Sequence, residues 1–463
     1  MNITGRPHRN HDQGFTTEDL KKIVRKWSKL SFIGLKLLKT FHIEHRYVNY
    51  EVVTRLFDDN VISHGFFWAE LKVSLVLNLK ESRYAVVQDY FDILTQDILA
   101  EYAIQNETPM QLLPTCIDLG ENEQINLAGD FYLGEWYSRR RKQRKILDYY
   151  SHKGAAYCYE KVKTLFPPQD LNIVNSESSV VDFEKVTSPY IEYKKFILDA
   201  NPQKLFPAFH DLNIKAVVLA NNHSYDFGSQ GLTQTVQYFK QNQIAQIGIG
   251  ETLQDSLNYY KVKAGLYNLY IFSAYWFRGN QYFEYDCYAK NKKSGVGSIN
   301  PFLFQAIRNI KKQDSKAFVI VTPHWGVDFK PTSGVQRSLA RHLIEAGTDL
   351  IIGHGSHSLQ TIEKIKGKYV IYSLGNFVFN SDGEFDTHNA PKYGLFARLN
   401  FKDSPQLSIL PLDADNHSTK FQPGTLDSEK FKGILEFYEK PIHEGFLKPD
   451  VKASSLNISL VGE

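Results

Sequence analysis

Eight residues of this chain stand where apolar, strand-like runs give out: Asp130, Asn175, Glu177, Asn222, His223, His324, His354 and His357. Carboxylates, carboxamide oxygens and imidazoles together make a ligand set for borderline divalent metals such as zinc, manganese or iron. Histidine also titrates near neutral pH, so the same group can move protons without a metal. Asp226, three residues past His223, is placed to orient that ring. Asn175, Trp325 and Asn376 lie beside the others and are candidate substrate contacts. Taken singly, each residue has an ordinary explanation, such as a helix cap for Asn222 or Asp226 and a turn for Asp130 or Glu177. Their common position at strand ends is what argues for a site.

The elements that must hold them are legible as buried runs. Ala317–Pro323 leads into His324-Trp-Gly, a helical period covers Val335–Ala346, and Asp349–Gly353 then delivers His354 and His357. Tyr369–Leu374 delivers Gly375-Asn376. Upstream, Ala216–Ala220 runs into Asn221–Gly228, with a helical pattern over about 229–240; Leu171–Val174 and Ile125–Ala128 end at Asn175 and Gly129-Asp130. Short apolar runs bounded by turns read as strands buried on both faces. Strand, helix, strand in that order implies right-handed parallel crossovers. The reading is of one parallel sheet with His223, His324 and His354 at its strand ends, where ligand crevices lie.

These pieces carry a family resemblance. Leu219–Gly228, His324–Gly326, Ala346–His354 and Ile371–Phe379 are similar to the motifs of CapA-type proteins of poly-γ-glutamate capsule synthesis. Gly129-Asp130, Asn175–Glu177, Leu410–Leu412 and Phe421–Pro423 support the match, which runs from about 126 to about 423. The resemblance implies an α/β fold of the metallophosphatase (calcineurin-like phosphoesterase) type, an α/β/β/α sandwich. It further implies that Asp130 is the first metal aspartate and that Glu177 is the bridging carboxylate. Asn222, His324, His354 and His357 would be further ligands around one or two ions, and His223 the residue that protonates a leaving group. Such a protein would be a metal-dependent hydrolase or transferase acting on a glutamate-rich or peptide-like polymer.

Two departures from the family pattern matter. Tyr132 stands where a metallophosphatase has histidine, a trait that CapA-type proteins share. Gly353-His-Gly-Ser-His357 replaces the family's usual Gly-His-His-Pro-His, so Gly355 takes the middle histidine's place. The loss leaves one metal site short of ligands and keeps open a single ion or no metal. Two alternatives follow: a metal-independent peptide epimerase using His223 with His324 or His354, and a non-catalytic module that binds an anionic polymer.

Composition sets the remaining bounds. The chain has 463 residues, 42% hydrophobic, and a net charge of +3, too small to argue for nucleic acid or a membrane surface. Arg139–Lys145 is a local basic run, read as a solvated face or as a flank of the crevice that attracts a polyanion. Three scattered cysteines and no apolar run of membrane length or secretory type imply a cytoplasmic protein, although the family is often membrane-anchored. Residues 1–118 are expected to be mainly helical, with a helix start at Thr16–Asp19, and are a candidate for binding a protein partner; Pro109–Gly120 reads as a linker. The metallophosphatase-like domain is expected over 119–425, and 426–463 as a helix and polar tail packed outside the core. The loops Tyr275–Ser294 and Ser381–Asn389 are candidate walls of the crevice.

Overall fold

The structure, a computed structural model, describes residues 115–120, 124–278, 281, 285–289 and 293–460. The expected amino-terminal helices lie outside the described residues, as does part of the Tyr275–Ser294 loop. The chain divides into two compact units. One takes in Met1–Gln111, Phe277–Glu284 and Asn300–Ala306, and most of it is not described. The other, Leu112–Trp276, Tyr285–Ile299 and Ile307–Glu463, carries every candidate site residue.

In this second unit, runs of Val, Ile and Leu form mixed α/β structure with two large sheets, where the strand runs taken alone suggest a single sheet and the resemblance a two-sheet sandwich. The seven-stranded sheet runs Thr115–Asp118, Tyr259–Ala264, Tyr267–Tyr275, Ala317–His324, Leu350–Ile352, Lys368–Ile371, Ile362–Ile365. The ten-stranded sheet contains Ile125–Tyr132, Leu171–Ser176, Ile214–Val218 and Ala245–Ile247 as parallel neighbours in that order. Asn376–Phe379 pairs in parallel with Ile125–Tyr132, so it belongs to the second sheet although the preceding strand belongs to the first. Periodicity cannot assign a strand to one of two sheets, because both bury their strands on two faces.

One apolar core joins the sheets. Ile125, Leu127, Ile173 and Val218 of the ten-stranded sheet share it with Val262, Ile271, Ile320, Leu350 and Ile371 of the seven-stranded sheet. Full burial of such a side chain contributes about 1.5–3 kcal/mol, so the alternating residues of these strands lock the sheets face to face. The crossover from the His324 strand to the His354 strand is the helix Gly334–Ala346. Ser333 and Gln336 form a reciprocal capping box at its start, Leu339, Ala340, Leu343 and Ile344 are buried, and Gly347 at φ 118° ends it. Asp349 then fixes the register: its carboxylate accepts from the Val319 amide (2.8 Å) and pairs with Lys311 and Lys368.

Two boundaries differ from expectation. Thr115–Asp118 is an edge strand paired with Tyr259–Ala264, so the sheet begins inside the expected linker. The tail is no outer appendage: Ser455–Ser459 pairs with Gln406–Asp413, and Phe431, Ile434, Tyr438, Leu456 and Ile458 lie in the main core. Its alternation, Leu456, Ile458 and Leu460 with polar residues between, is too short to stand out in the sequence. Among the described residues no helix is long and apolar enough to cross a membrane.

Candidate functional site

The site forms where strands of the two sheets end side by side. Asp130 lies on Ile125–Tyr132, and Glu177 follows Leu171–Ser176, its amide donating to Phe131 O (3.0 Å). His324 ends the Ala317–His324 strand and bridges in parallel to His354. Gly129 lets the chain entering Asn376–Phe379 come close: a Cβ on it would come within 2.2 Å of Gly375 O, and Asp130 N donates to that same carbonyl.

Asn221 shapes the loop that carries His223. Its side-chain oxygen accepts from the amides of His223 and Ser224 (both 3.0 Å), and its nitrogen donates to Ser176 O (3.0 Å). His223 Nδ1 donates to Asp226 Oδ2 (2.7 Å), so the expected carboxylate–imidazole pair is in place. Lys194 completes it, pairing with Asp226 Oδ1 and donating to the carbonyl of Asn222 (2.8 Å). Nothing in the sequence pointed to Lys194, which sits in an irregular stretch about thirty residues upstream.

Glu177 is the centre. It is fully buried, and neither carboxylate oxygen has a hydrogen-bond partner among the described residues. Three imidazole nitrogens converge on its Oε1: Nε2 of His357 at 3.6 Å, of His324 at 3.7 Å and of His223 at 3.8 Å. These separations are too long for hydrogen bonds. They are close to the roughly 3.4 Å between two ligands of a tetrahedral ion with bonds of about 2.0–2.1 Å. Asp130 sits on the other side, with His354 Nδ1 and His357 Nδ1 each 3.4 Å from its oxygens. Asp130, Glu177 and His357 each offer a ligand atom within 4.8 Å of the others, and His354 Nδ1 is also buried without a partner. Buried unpartnered acceptors cost about 1–3 kcal/mol each. A divalent cation would satisfy them, so the residues present fit a metal.

The proton affinities follow from this crowding. Burial pushes the Glu177 carboxyl well above its ordinary value, and the charges of Asp130, Asp328 and Asp226 add to it against His357. Burial would raise Asp130 as well, but the imidazoles of His354 and His357 beside it outweigh burial and hold that carboxyl far below the usual range. Burial favours neutral His357, yet Glu177, Asp130 and Asp328 hold its proton tightly. Burial lowers His223 despite Asp226, and lowers His324 to about 3.

Other expected residues have different places. Asn175 bridges the cluster, its Nδ2 donating to Asp130 Oδ1 (2.8 Å) and lying 3.2 Å from His324 Nδ1. Asn376 Oδ1 accepts from His357 Nδ1 (2.9 Å). Both therefore position members of the cluster. Trp325, expected as a substrate contact, is fully buried with its indole donating to Tyr372 O (2.8 Å), and is a core residue. Asn222 is half-buried, and its carbonyl accepts from Lys194. Tyr132 is also core: its hydroxyl donates to Asp199 O and accepts from Trp136 N (both 3.1 Å).

The basic run is divided among roles. Arg139 pairs with Asp199, and Arg141 is buried against Asp148, Asp382 and Asn380. The guanidinium of Arg140 lies over Trp136. In the Ser381–Asn389 loop, His388 stacks on Phe329 (5.1 Å), whose ring is 5.9 Å from His357, so this loop does border the site.

Comparison with known proteins agrees with the geometry. Residues 124–381 match the family model described as "Bacterial capsule synthesis protein PGA_cap". The PGA biosynthesis protein CapA of Bacillus subtilis is 27% identical over 314 residues, 67% of this chain and 76% of that protein. The capsule biosynthesis protein CapA of Bacillus anthracis is 27% identical over 321 residues, 67% and 72% of the two chains. A probable polyglutamine synthesis accessory protein of Mycobacterium tuberculosis is 28% identical over 221 residues, 46% and 57% of the two. The family match covers more than half of the 463 residues and contains the whole carboxylate–histidine cluster, so the chain belongs to the PGA_cap family of CapA-like bacterial capsule synthesis proteins.

Proposed function

We propose that this CapA-like chain is a metal-dependent hydrolase or transferase acting on a glutamate-rich, γ-linked polymer. The observation that carries the reading is Glu177, a fully buried carboxylate with both oxygens unpartnered and three imidazoles aimed at one of them. The two sheets sharing one core support a metallophosphatase-like sandwich as the scaffold. Asp130, Glu177 and His357 would hold a zinc, manganese or iron ion, with His324, His354 and Asn222 available to it or to a second. Such an ion, when bound, polarises an acyl or phosphoryl oxygen and lowers the pKa of water.

The chain's own residues do the rest. Asp226 and Lys194 fix the His223 ring so that Nε2 faces the cluster, where it takes a proton and returns it to a leaving group. Asn376 fixes His357 and Asn175 fixes Asp130. The epimerase reading needs two bases on opposite faces of one carbon, whereas His223 and His324 present Nε2 to the same carboxylate oxygen. The test is cleavage or transfer of a γ-glutamyl oligomer by protein reconstituted with each metal. Turnover that needs metal and falls by about 10²–10⁴-fold in His223→Ala supports the reading; turnover indifferent to both contradicts it.

A further inference from the structure

Beside the cluster lies an aromatic surface that the ligand set does not use. Tyr132, tied down through its hydroxyl, packs against Phe379 (5.4 Å), which packs against His357 (5.0 Å). On its other side Tyr132 meets Tyr137 (6.0 Å), and Tyr137 meets Trp136 (4.7 Å), which in turn meets Phe196 (5.2 Å). Trp136, Tyr137 and Phe196 are only partly buried. The guanidinium of Arg140 sits 4.5 Å over Trp136, and the ammonium of Lys195 sits 4.7 Å over Phe196. Unlike Arg139 and Lys194 next to them, neither has a carboxylate partner among the described residues. The Tyr137 phenol, raised first by burial and then by the charges of Glu384, Glu177, Asp382 and Asp328, is within electrostatic reach of the site.

We propose that Trp136, Phe196, Arg140 and Lys195 form a binding shelf for an anionic chain whose carboxylates hang from an apolar stem, and that this chain feeds the cluster. The inference rests on the polymer reading and adds where and how the polymer is held. Flat rings accept methylene stems. A cation over an exposed ring gains only about 0.5–1 kcal/mol, so it can turn to a carboxylate at little cost. Tyr132, where a metallophosphatase has a ligand histidine, is the root of this shelf: its hydroxyl anchors the Trp136 amide.

The test is fluorescence anisotropy with a fluorescein-labelled γ-linked glutamate decamer, and with the same decamer carrying α-carboxamides. Arg140→Glu/Lys195→Glu should weaken binding of the acid decamer roughly tenfold or more, and Trp136→Ala several-fold. Lys366→Glu, whose lysine pairs with Glu345 outside the cluster and the shelf, should bind as wild type does. Lys195→Glu alone, at an exposed position, supplies the answer if the double variant does not fold. The carboxamide decamer should bind weakly to every form. Wild-type binding that is unchanged in the shelf variants overturns the shelf and leaves the polymer reading standing. Equal binding of acid and carboxamide decamers overturns the shelf's charge selection. No binding of either decamer by wild type overturns the shelf and the polymer reading together.

Discussion

The imidazole of His324 lies over the α-carbon of Gly355, where an added Cβ would come within 2.7 Å of the ring. Gly355 also has φ 97°, and its amide approaches Asp130 Oδ2 at 3.2 Å. The position where the family usually has histidine is therefore filled in this chain by a neighbour's ring. Gly355→His, which on sequence grounds restores a ligand, is expected to push His324 away and lower metal affinity about 10–100-fold. Gly355→Ala should do the same with a smaller side chain. Metal titration of both variants checks this; tighter binding by Gly355→His would contradict it.

Glu177→Gln should act in opposite directions on the two forms. In chelator-treated protein the substitution removes a buried carboxylate that has no donor, so thermal stability should be unchanged or higher, by up to about 1–3 kcal/mol. Metal affinity should fall at least tenfold. Thermal melts with chelator and with added metal separate the two effects, and a large loss of stability in chelator would refute the account of Glu177.

Lys194 and Asp226 form a nearly buried pair, with side-chain exposures of 9% and 0%. Lys194→Met leaves a buried carboxylate without its cation and is expected to cost roughly 3–5 kcal/mol. Lys194→Met/Asp226→Asn should lose less than the sum of the single changes, because neither leaves a charge stranded. Denaturant midpoints of the four proteins make the cycle; strict additivity would show that the pair is uncoupled.

Arg141 ties the helix Trp136–Gln143 to Asp148 and Asp382. Burial would raise the Asp148 carboxyl, but hydrogen bonds from Ser151 and Ser138 and the Arg141 charge bring it below its ordinary value. A carboxyl lowered on folding stabilises the protein above its unfolded pKa of about 3.9 and loses that contribution as pH falls through the folded value. Asp148→Asn should therefore melt lower than wild type at pH 7 and at pH 5. The gap should close below about pH 4. A gap that widens in acid would reverse the sign of this linkage.

Much of the site was readable in the chain because its residues end apolar runs. Asp130, Glu177, His223, His324, His354 and His357 come together, and Asp226 holds His223 as spacing suggested. The sheet count was not readable from the strand runs themselves, since strands of both sheets are buried on two faces and look alike in sequence; only the family resemblance implied two. Trp325 was misplaced for a related reason: next to His324 in sequence, it points into the core. Lys194 and the Trp136–Phe196 contact depend on irregular loops meeting a helix, and no local pattern encodes such a meeting. The basic run could not reveal that Arg141 is buried while its neighbour Arg140 covers a ring.

The central claim is that the unpartnered Glu177 carboxylate and the imidazoles around it are a metal site. Plasma mass spectrometry on purified wild type, Glu177→Gln and His357→Ala tests it most directly. The expected result is near-stoichiometric zinc, manganese or iron in wild type, lost in both variants while all three proteins remain folded. Wild-type protein that stays metal-free after incubation with each of these ions, or variants that retain full metal, would contradict it.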